Sequence, residues 1–233
     1  MSRKLLLLGD SIIDNKSYVL DGELDVTEHL RRLCLGQHDI SIQNNAVDGD
    51  TMHNLKLKLR DMEQVKNASH IVVSIGGNDL LQNISFLQMT SKLSEVMNKD
   101  ARIGKWGARE LNPSRNKVFE ETYFEIIKPM QQDYESIVAN LSNYRAKLLL
   151  CTVYEGDLVD SDEFSDVIYS SKTMLSIFND QVYRTAQKYS CEVLELRDIF
   201  VSSEDYANPI EPSHIGGEKL AKAIKEWVEN TKS

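Results

Sequence analysis

Leu5 to Leu8 form an uninterrupted apolar run that stops at Gly9-Asp10-Ser11. A short apolar run ending in turn residues is the pattern of a strand buried on both faces, and it places Ser11 just past the strand's carboxyl end. The same alternation of apolar segment and polar turn continues along the chain. Asp21 to Gly36 has cap residues Asp25 and Thr27, apolar positions Leu30, Leu33 and Cys34, and a glycine stop, which predicts a helix. Ile40 and Ile42 alternate with polar residues and predict a second strand running through Asn44-Asn45-Ala46-Val47 into Asp48-Gly49-Asp50-Thr51. Leu55, Leu59 and Met62 give helical spacing to about Val65, and His70 to Ile75 is a β-branched run closed by Gly76-Gly77, which predicts a central strand.

The second half repeats the scheme. A helical pattern runs from Leu80 to about Met97, and another carries Tyr123, Ile127, Met130, Tyr134, Ile137, Val138 and Leu141, with Pro129 kinking it or marking its start. Strands are predicted at Lys147–Val153 and Cys191–Leu196, separated by a long amphipathic helix on Ile168, Leu175, Phe178, Val182 and Ala186. A terminal helix begins near Ile215-Gly216, with Leu220, Ala223, Ile224, Trp227 and Val228 as its apolar stripe. Lys99 to Lys117 contains Gly104, Trp106, Gly107 and Pro113 without a period and reads as an insertion or long loop. Strand and helix therefore alternate, which predicts an α/β fold: three layers around a parallel sheet of about five strands, in the order 2-1-3-4-5. That order sets the turns after the first three strands side by side.

Composition narrows the picture. The chain has 233 residues and only four prolines, and no Gly/Ser-rich linker or repeat divides it, so residues 1–233 are read as one domain. A formal net charge of -9 argues against a general nucleic-acid or anionic-membrane binder, because phosphate affinity needs clustered Lys and Arg. No apolar run reaches the length of a membrane span, and Leu5–Leu8 is too short for a secretion-signal core, so a cytoplasmic location is expected. Cys34, Cys151 and Cys191 are odd in number and far apart, which reads as reduced core cysteines. The histidines do not join Asp10, Asp14 and Asp79 at ligand spacing, so neither a metal nor a cofactor is expected.

The polar turns carry the candidate chemistry. A serine hydroxyl needs a positioned base and donors for the oxyanion that forms when it attacks a carbonyl. Ser11 can attack, His214 can accept and return the proton, and the Ser11 and Gly49 N–H groups with the Asn78 amide can stabilise the oxyanion. Asp10 and Asp79 read as loop-holding or helix-capping carboxylates. Asp14 and Asn15 either line the site or start a turn. His29, His38, His53 and His70 lack a partner at recognisable spacing.

Four blocks in order, Gly9-Asp10-Ser11, Asp48-Gly49-Asp50-Thr51, Gly76-Gly77-Asn78-Asp79 and Glu211-Pro212-Ser213-His214, resemble the GDSL/SGNH hydrolase family. The resemblance implies Ser11 as nucleophile, Gly49 and Asn78 completing the oxyanion hole, and an Asp-x-x-His block as orienter and base. In this chain that last block reads as Glu211 and His214, with glutamate in the usual aspartate's place and Ile215 where proline is usual. Glu211 either orients His214 or points to solvent, leaving a backbone carbonyl or Asp205 in that role. The activity implied is hydrolysis of a small carboxylic ester through an acyl-enzyme, of esterase, lipase, thioesterase or sugar-ester deacetylase type. Two other readings stand beside it: a non-catalytic binding protein on the same fold, and a metal-dependent phosphoesterase. The acyl and alcohol groups and the oligomeric state are not encoded in these blocks.

Overall fold

Five parallel strands in the order β2-β1-β3-β4-β5 form one sheet in the computed structural model, which describes residues 3–36, 39–83, 123–157 and 165–231. The strands are β1 (Arg3–Gly9), β2 (Ile40–Asn44), β3 (His70–Ser74), β4 (Lys147–Cys151) and β5 (Glu192–Leu194). The helices are α1 (Val26–Leu33), α2 (Met52–Leu59), α3 (Glu63–Asn67), α4 (Gly77–Gln82), α5 (Lys128–Ser142), α6 (Ser165–Tyr189) and α7 (His214–Asn230). The order is the one expected from the alternation. It puts the carboxyl ends of β1, β2 and β3 together, since Leu7 pairs with both Asn44 and Val72.

Strand periodicity divides the core into two layers. Leu6, Leu8, Ile71, Val73, Leu148 and Leu150 face α2, α5 and α6, where Tyr134 and Phe178 meet edge-on. Leu5, Leu7, Val72, Leu149 and Cys151 face α1 and α7, against Leu30, Leu220, Ile224 and Val228. Each such fully buried aliphatic side chain contributes roughly 1.5–3 kcal/mol of transfer free energy. His70 lies in this second layer, edge-on to Trp227 at 5.3 Å between ring centres.

The boundaries differ from the expected ones where turns intervene. The helix expected from Leu55 to Val65 is two, because the chain turns at Asp61-Met62 between α2 and α3. Strand β2 ends at Asn44, although Asn45 and Val47 still donate to the carbonyls of Leu7 and Gly9 at 2.9 and 3.0 Å. Pro129 stands in the first turn of α5, directly after a π-helical stretch at Tyr123–Ile127. Ala221 rather than Ala223 is fully buried on α7. The terminal helix starts at His214 because the Ser213 hydroxyl accepts from the N–H groups of Ile215 and Gly216. The predicted segment Lys99–Lys117, His38 and most of the helix expected over Leu80–Met97 lie outside the described residues.

Gly9 is required by the close approach of β1 and β3. A Cβ there would lie 1.9 Å from the Ser74 carbonyl oxygen, and the residue has φ +148°. This is the point at which the sheet hands the chain to the Asp10-Ser11 turn.

Candidate active site

The turn after β1 presents Ser11 with its N–H unused by the local bonds. Asp10 N–H donates to the Ser74 carbonyl at 3.1 Å, Ile13 and Asp14 N–H donate to the Asp10 carbonyl at 3.1 and 3.0 Å, and Ile12 N–H donates to Asp10 Oδ1 at 3.2 Å. These bonds pass over the Ser11 N–H. Ser11 is 6% exposed, in the wall of a hollow at the carboxyl end of the sheet.

The second and third turns are tied to each other. Gly49 adopts φ +82° in a turn closed by Asp50 N–H to the Val47 carbonyl at 3.0 Å, a conformation that favours glycine. The Asn78 amide donates to the Asp50 carbonyl at 3.0 Å, which fixes the side chain and leaves its second N–H free of that bond. The Asp79 carboxylate accepts from Met52 N–H at the start of α2, at 3.0 Å for the nearer oxygen, so it caps the helix after the second turn rather than its own. Asn78 lines the hollow beside Ser11. Gly49 is exposed and does not line it.

Glu211 is brought to Ser11 by a loop held at several points. Asn208 Oδ1 accepts from the N–H groups of Ile210 and Glu211 at 3.0 Å each. Ala207 N–H donates to the Glu211 carbonyl at 2.9 Å, and the Tyr154 hydroxyl donates to the Ile210 carbonyl at 2.7 Å. Asn15 is fully buried and clamps this loop to the first turn: its amide donates to the Pro212 carbonyl at 3.1 Å and its oxygen accepts from Val26 N–H at 2.9 Å. Neither the Asn208 nor the Asn15 role was evident from the sequence. Asn15 is 197 residues from its partner, and Asn208 looks like any turn asparagine.

The electrostatics of the hollow are those of carboxyls taken out of water. Glu211 is 8% exposed, the Ser11 hydroxyl is near enough to act on its carboxylate, and its Oε2 is buried without a hydrogen-bond partner. Burial pushes its pKa above the usual carboxylate range, the nearby Ser11 hydroxyl pulls the other way, and the charge of Asp48 adds to the rise. Asp10, 1% exposed, is pushed up to about 8, by burial first and then by the charges of Glu211 and Asp79, against the bond from Ile12 N–H. The apolar side of the hollow is made by Leu80, Leu81, Val153, Met174, Leu175 and Ile210, and its volume is about 100 Å³.

The structure does not bring His214, expected as the base, into this hollow. As first residue of α7 it faces α1, where its ring stacks on His29 with centres 5.3 Å apart and Nδ1 lies 3.2 Å from His29 Nε2. The two rings line a different hollow, with Glu23, Arg32 and Glu218. Asp205, the alternative orienter, is equally remote from that role. Its buried carboxylate pairs with Lys219 at 2.6 Å and accepts from Val201 and Ser202 N–H at 3.0 Å. Of the expected site residues, the structure thus gathers Ser11, Asn78, Glu211 and Asp10 at one hollow, uses Asp79 to hold the neighbouring turns, and leaves Gly49 and His214 out of its lining. The pair at the site, Asn208 and Glu211, has the same three-residue separation as the pair Glu211 and His214, so sequence spacing alone does not choose between the two registers.

Among the described residues, no group of three or more His, Cys, Asp or Glu side chains is arranged to hold a metal ion, and no helix is long and apolar enough to cross a membrane. A family model described as GDSL-like Lipase/Acylhydrolase matches residues 5–218. No curated protein sequence matches the chain. Among solved structures, an acetylxylan esterase from Geobacillus stearothermophilus is similar at TM-score 0.64 and 15% identity, over 99% of this chain and 95% of that one. A lipase from a goat rumen metagenome is similar at TM-score 0.65 and 19% identity, over 97% of each chain. A GDSL-like lipase from Bacteroides thetaiotaomicron is similar at TM-score 0.60 and 11% identity, over 97% of this chain and 88% of that one.

Proposed function

We propose, from the premise that this chain belongs to the GDSL-like lipase/acylhydrolase family and is a hydrolase of ester bonds, that Ser11 is its nucleophile and Glu211 the proton acceptor. The observation that carries this reading is that Ser11 and the buried Glu211 carboxylate line one hollow, with Glu211 Oε2 free of other partners and its pKa raised by burial, which makes that carboxylate a stronger base than an exposed one. Glu211 takes the hydroxyl proton as Ser11 Oγ bonds to the acyl carbon. The Ser11 N–H and the second Asn78 N–H receive the developing oxyanion; that the local turn bonds leave both N–H groups unused supports this role. Collapse expels the alcohol, which leaves with the proton held by Glu211, and an acyl-Ser11 ester remains. Water then gives its proton to Glu211, attacks the acyl carbon and releases the carboxylic acid, returning Ser11 and Glu211 to their first state.

The apolar wall and the small volume of the hollow favour a short, uncharged acyl group, because an anionic acyl chain would meet Glu211 and the charges near it. In this reading the substrate is a small ester, and polysaccharide acetyl groups and short-chain lipid esters both fall in the size range. Labelling of purified protein by a fluorophosphonate, with release of 4-nitrophenol from its butyrate ester, tests the assignment. Both signals are expected in the native protein and absent in Ser11→Ala. Hydrolysis that persists undiminished in Ser11→Ala removes Ser11 from the role. Protein that neither labels nor hydrolyses favours a binding function on this fold, the reading to which the position of His214 away from Ser11 lends weight.

A further inference from the structure

Helix α6 supplies part of the apolar wall of the Ser11 hollow, and it is fixed where it does so. The buried Asn179 amide brackets residue 153: its oxygen accepts from the Val153 N–H at 2.9 Å and its nitrogen donates to the Val153 carbonyl at 2.8 Å. Phe178, next to it, is pressed on the turn after β3, where a Cβ on Gly76 would lie 2.3 Å from its ring. The helix therefore cannot withdraw without breaking these contacts. The room on this side is set by the side chains that α6 presents to the hollow, Met174 and Leu175.

The two differ in what stands behind them. Leu175 belongs to the large core layer with Phe178 and Val182, all buried. Met174, 4% exposed, belongs to neither large layer and packs against Leu80, Ile126, Ile127 and Ile177, each only partly buried. Of these four only Leu80 lines the hollow. Met174 thus has the hollow on one side and, on the other, a small apolar cluster that includes the end of the π-helical stretch before α5. A methionine is unbranched and fills irregular gaps without a shape of its own. Nothing polar holds it there, so its part in the wall is that of a plug.

We propose that Met174 is the residue that limits acyl-chain length, by closing the hollow against the cluster of Ile126, Ile127 and Ile177. This deepens the Ser11 reading and rests on it: with the acyl carbon at Ser11 Oγ, the chain lies along the apolar wall and stops at the methionine. Replacing Met174 by alanine removes Cγ, Sδ and Cε, and the space gained is bounded by aliphatic side chains that accept methylene groups. A longer straight-chain ester then fits where the native wall turns it away.

The test reads kcat/KM for the 4-nitrophenyl esters of acetate, butyrate and hexanoate in native protein, Met174→Ala and Met174→Phe. A methylene that gains or loses its place in an apolar pocket changes kcat/KM by about tenfold or more. The hexanoate-to-butyrate ratio is therefore expected to rise by about tenfold or more in Met174→Ala, and the butyrate-to-acetate ratio to fall by about tenfold in Met174→Phe, whose ring is larger and stiffer. Damage to the fold alone lowers all three esters together and leaves the ratios unchanged, and thermal unfolding gives the folded fraction of each variant. Should Met174→Ala not fold, the Met174→Phe ratio decides. Ratios equal to native in the folded variants, or shifts of the same sign in both, overturn the proposal and leave Ser11 and Glu211 in place. Undiminished hydrolysis by Ser11→Ala overturns the reading beneath it, and the proposal falls with it.

Discussion

His29 Nε2 and His214 Nδ1 lie 3.2 Å apart across the α1–α7 contact, so the histidine that motif spacing marks as the base is engaged with another histidine instead of with Ser11. At most one proton sits between the two facing nitrogens. His214→Ala is therefore expected to keep kcat/KM for a short nitrophenyl ester within about threefold of native, in contrast to a true general base, whose loss lowers rate by about 10²- to 10⁴-fold. Steady-state kinetics of the purified variant checks this.

The same pair makes stability depend on pH. Burial holds the His29 pKa below its ordinary 6.5, so the unfolded chain binds a proton more readily than the folded one. Unfolding is then favoured as pH falls below that ordinary value, and stability is retained above it. Thermal unfolding of the native protein should show a midpoint that declines from pH 7.5 to 5.5, and His29→Gln should lessen that decline. An equal decline in the variant would place the effect on other groups.

Asn78 is held by the Asp50 carbonyl at 3.0 Å, and under the proposed mechanism its second N–H gives one hydrogen bond to the oxyanion. Removing a single donor of this type lowers kcat by about 10²- to 10³-fold. Asn78→Ala is expected to show that loss mainly in kcat with a smaller change in KM, because the bond is made more strongly in the transition state than to the substrate.

Asn15 joins the first turn, the start of α1 and the Glu211 loop, so its removal leaves two buried backbone groups, the Val26 N–H and the Pro212 carbonyl, without their partners. Asn15→Ala is expected to lower stability by about 1–3 kcal/mol or more and to lower activity beyond what the fraction folded accounts for, since the loop that positions Glu211 loses its tether. Chemical denaturation paired with kinetics at a temperature where the variant is folded separates the two effects.

The sheet was readable because the physics that builds it is local. Leu5–Leu8 and Ile71–Val73 are buried on both faces and need continuous apolar side chains, and β1 must end in glycine where it approaches β3. Ser11 and Asn78 were readable for the same reason, as each sits within a few residues of a strand end. Glu211 was harder. Its position is set by Asn208, Tyr154 and Asn15, whose contacts with the loop are largely long-range, and its spacing to His214 imitates its spacing to Asn208. The Ser213 cap before α7 then turns His214 towards α1, a matter of one helical residue that periodicity does not resolve.

The pH dependence of hydrolysis follows from the same geometry. Under the proposed mechanism Glu211 must be ionised to accept the Ser11 proton, and burial raises its pKa from the ordinary 4.5. The acidic limb of the kcat/KM profile is therefore expected above pH 4.5, with activity lost as pH falls through it, and Glu211→Gln should abolish the limb together with most of the activity.

The most direct measurement is kcat/KM for 4-nitrophenyl butyrate with Glu211→Gln and His214→Ala side by side. A fall of about 10²- to 10⁴-fold in Glu211→Gln, with His214→Ala close to native, is the result predicted if Glu211 is the base. The reverse order, with His214→Ala inactive and Glu211→Gln nearly native, would contradict the pairing of Ser11 with Glu211 on which the mechanism stands.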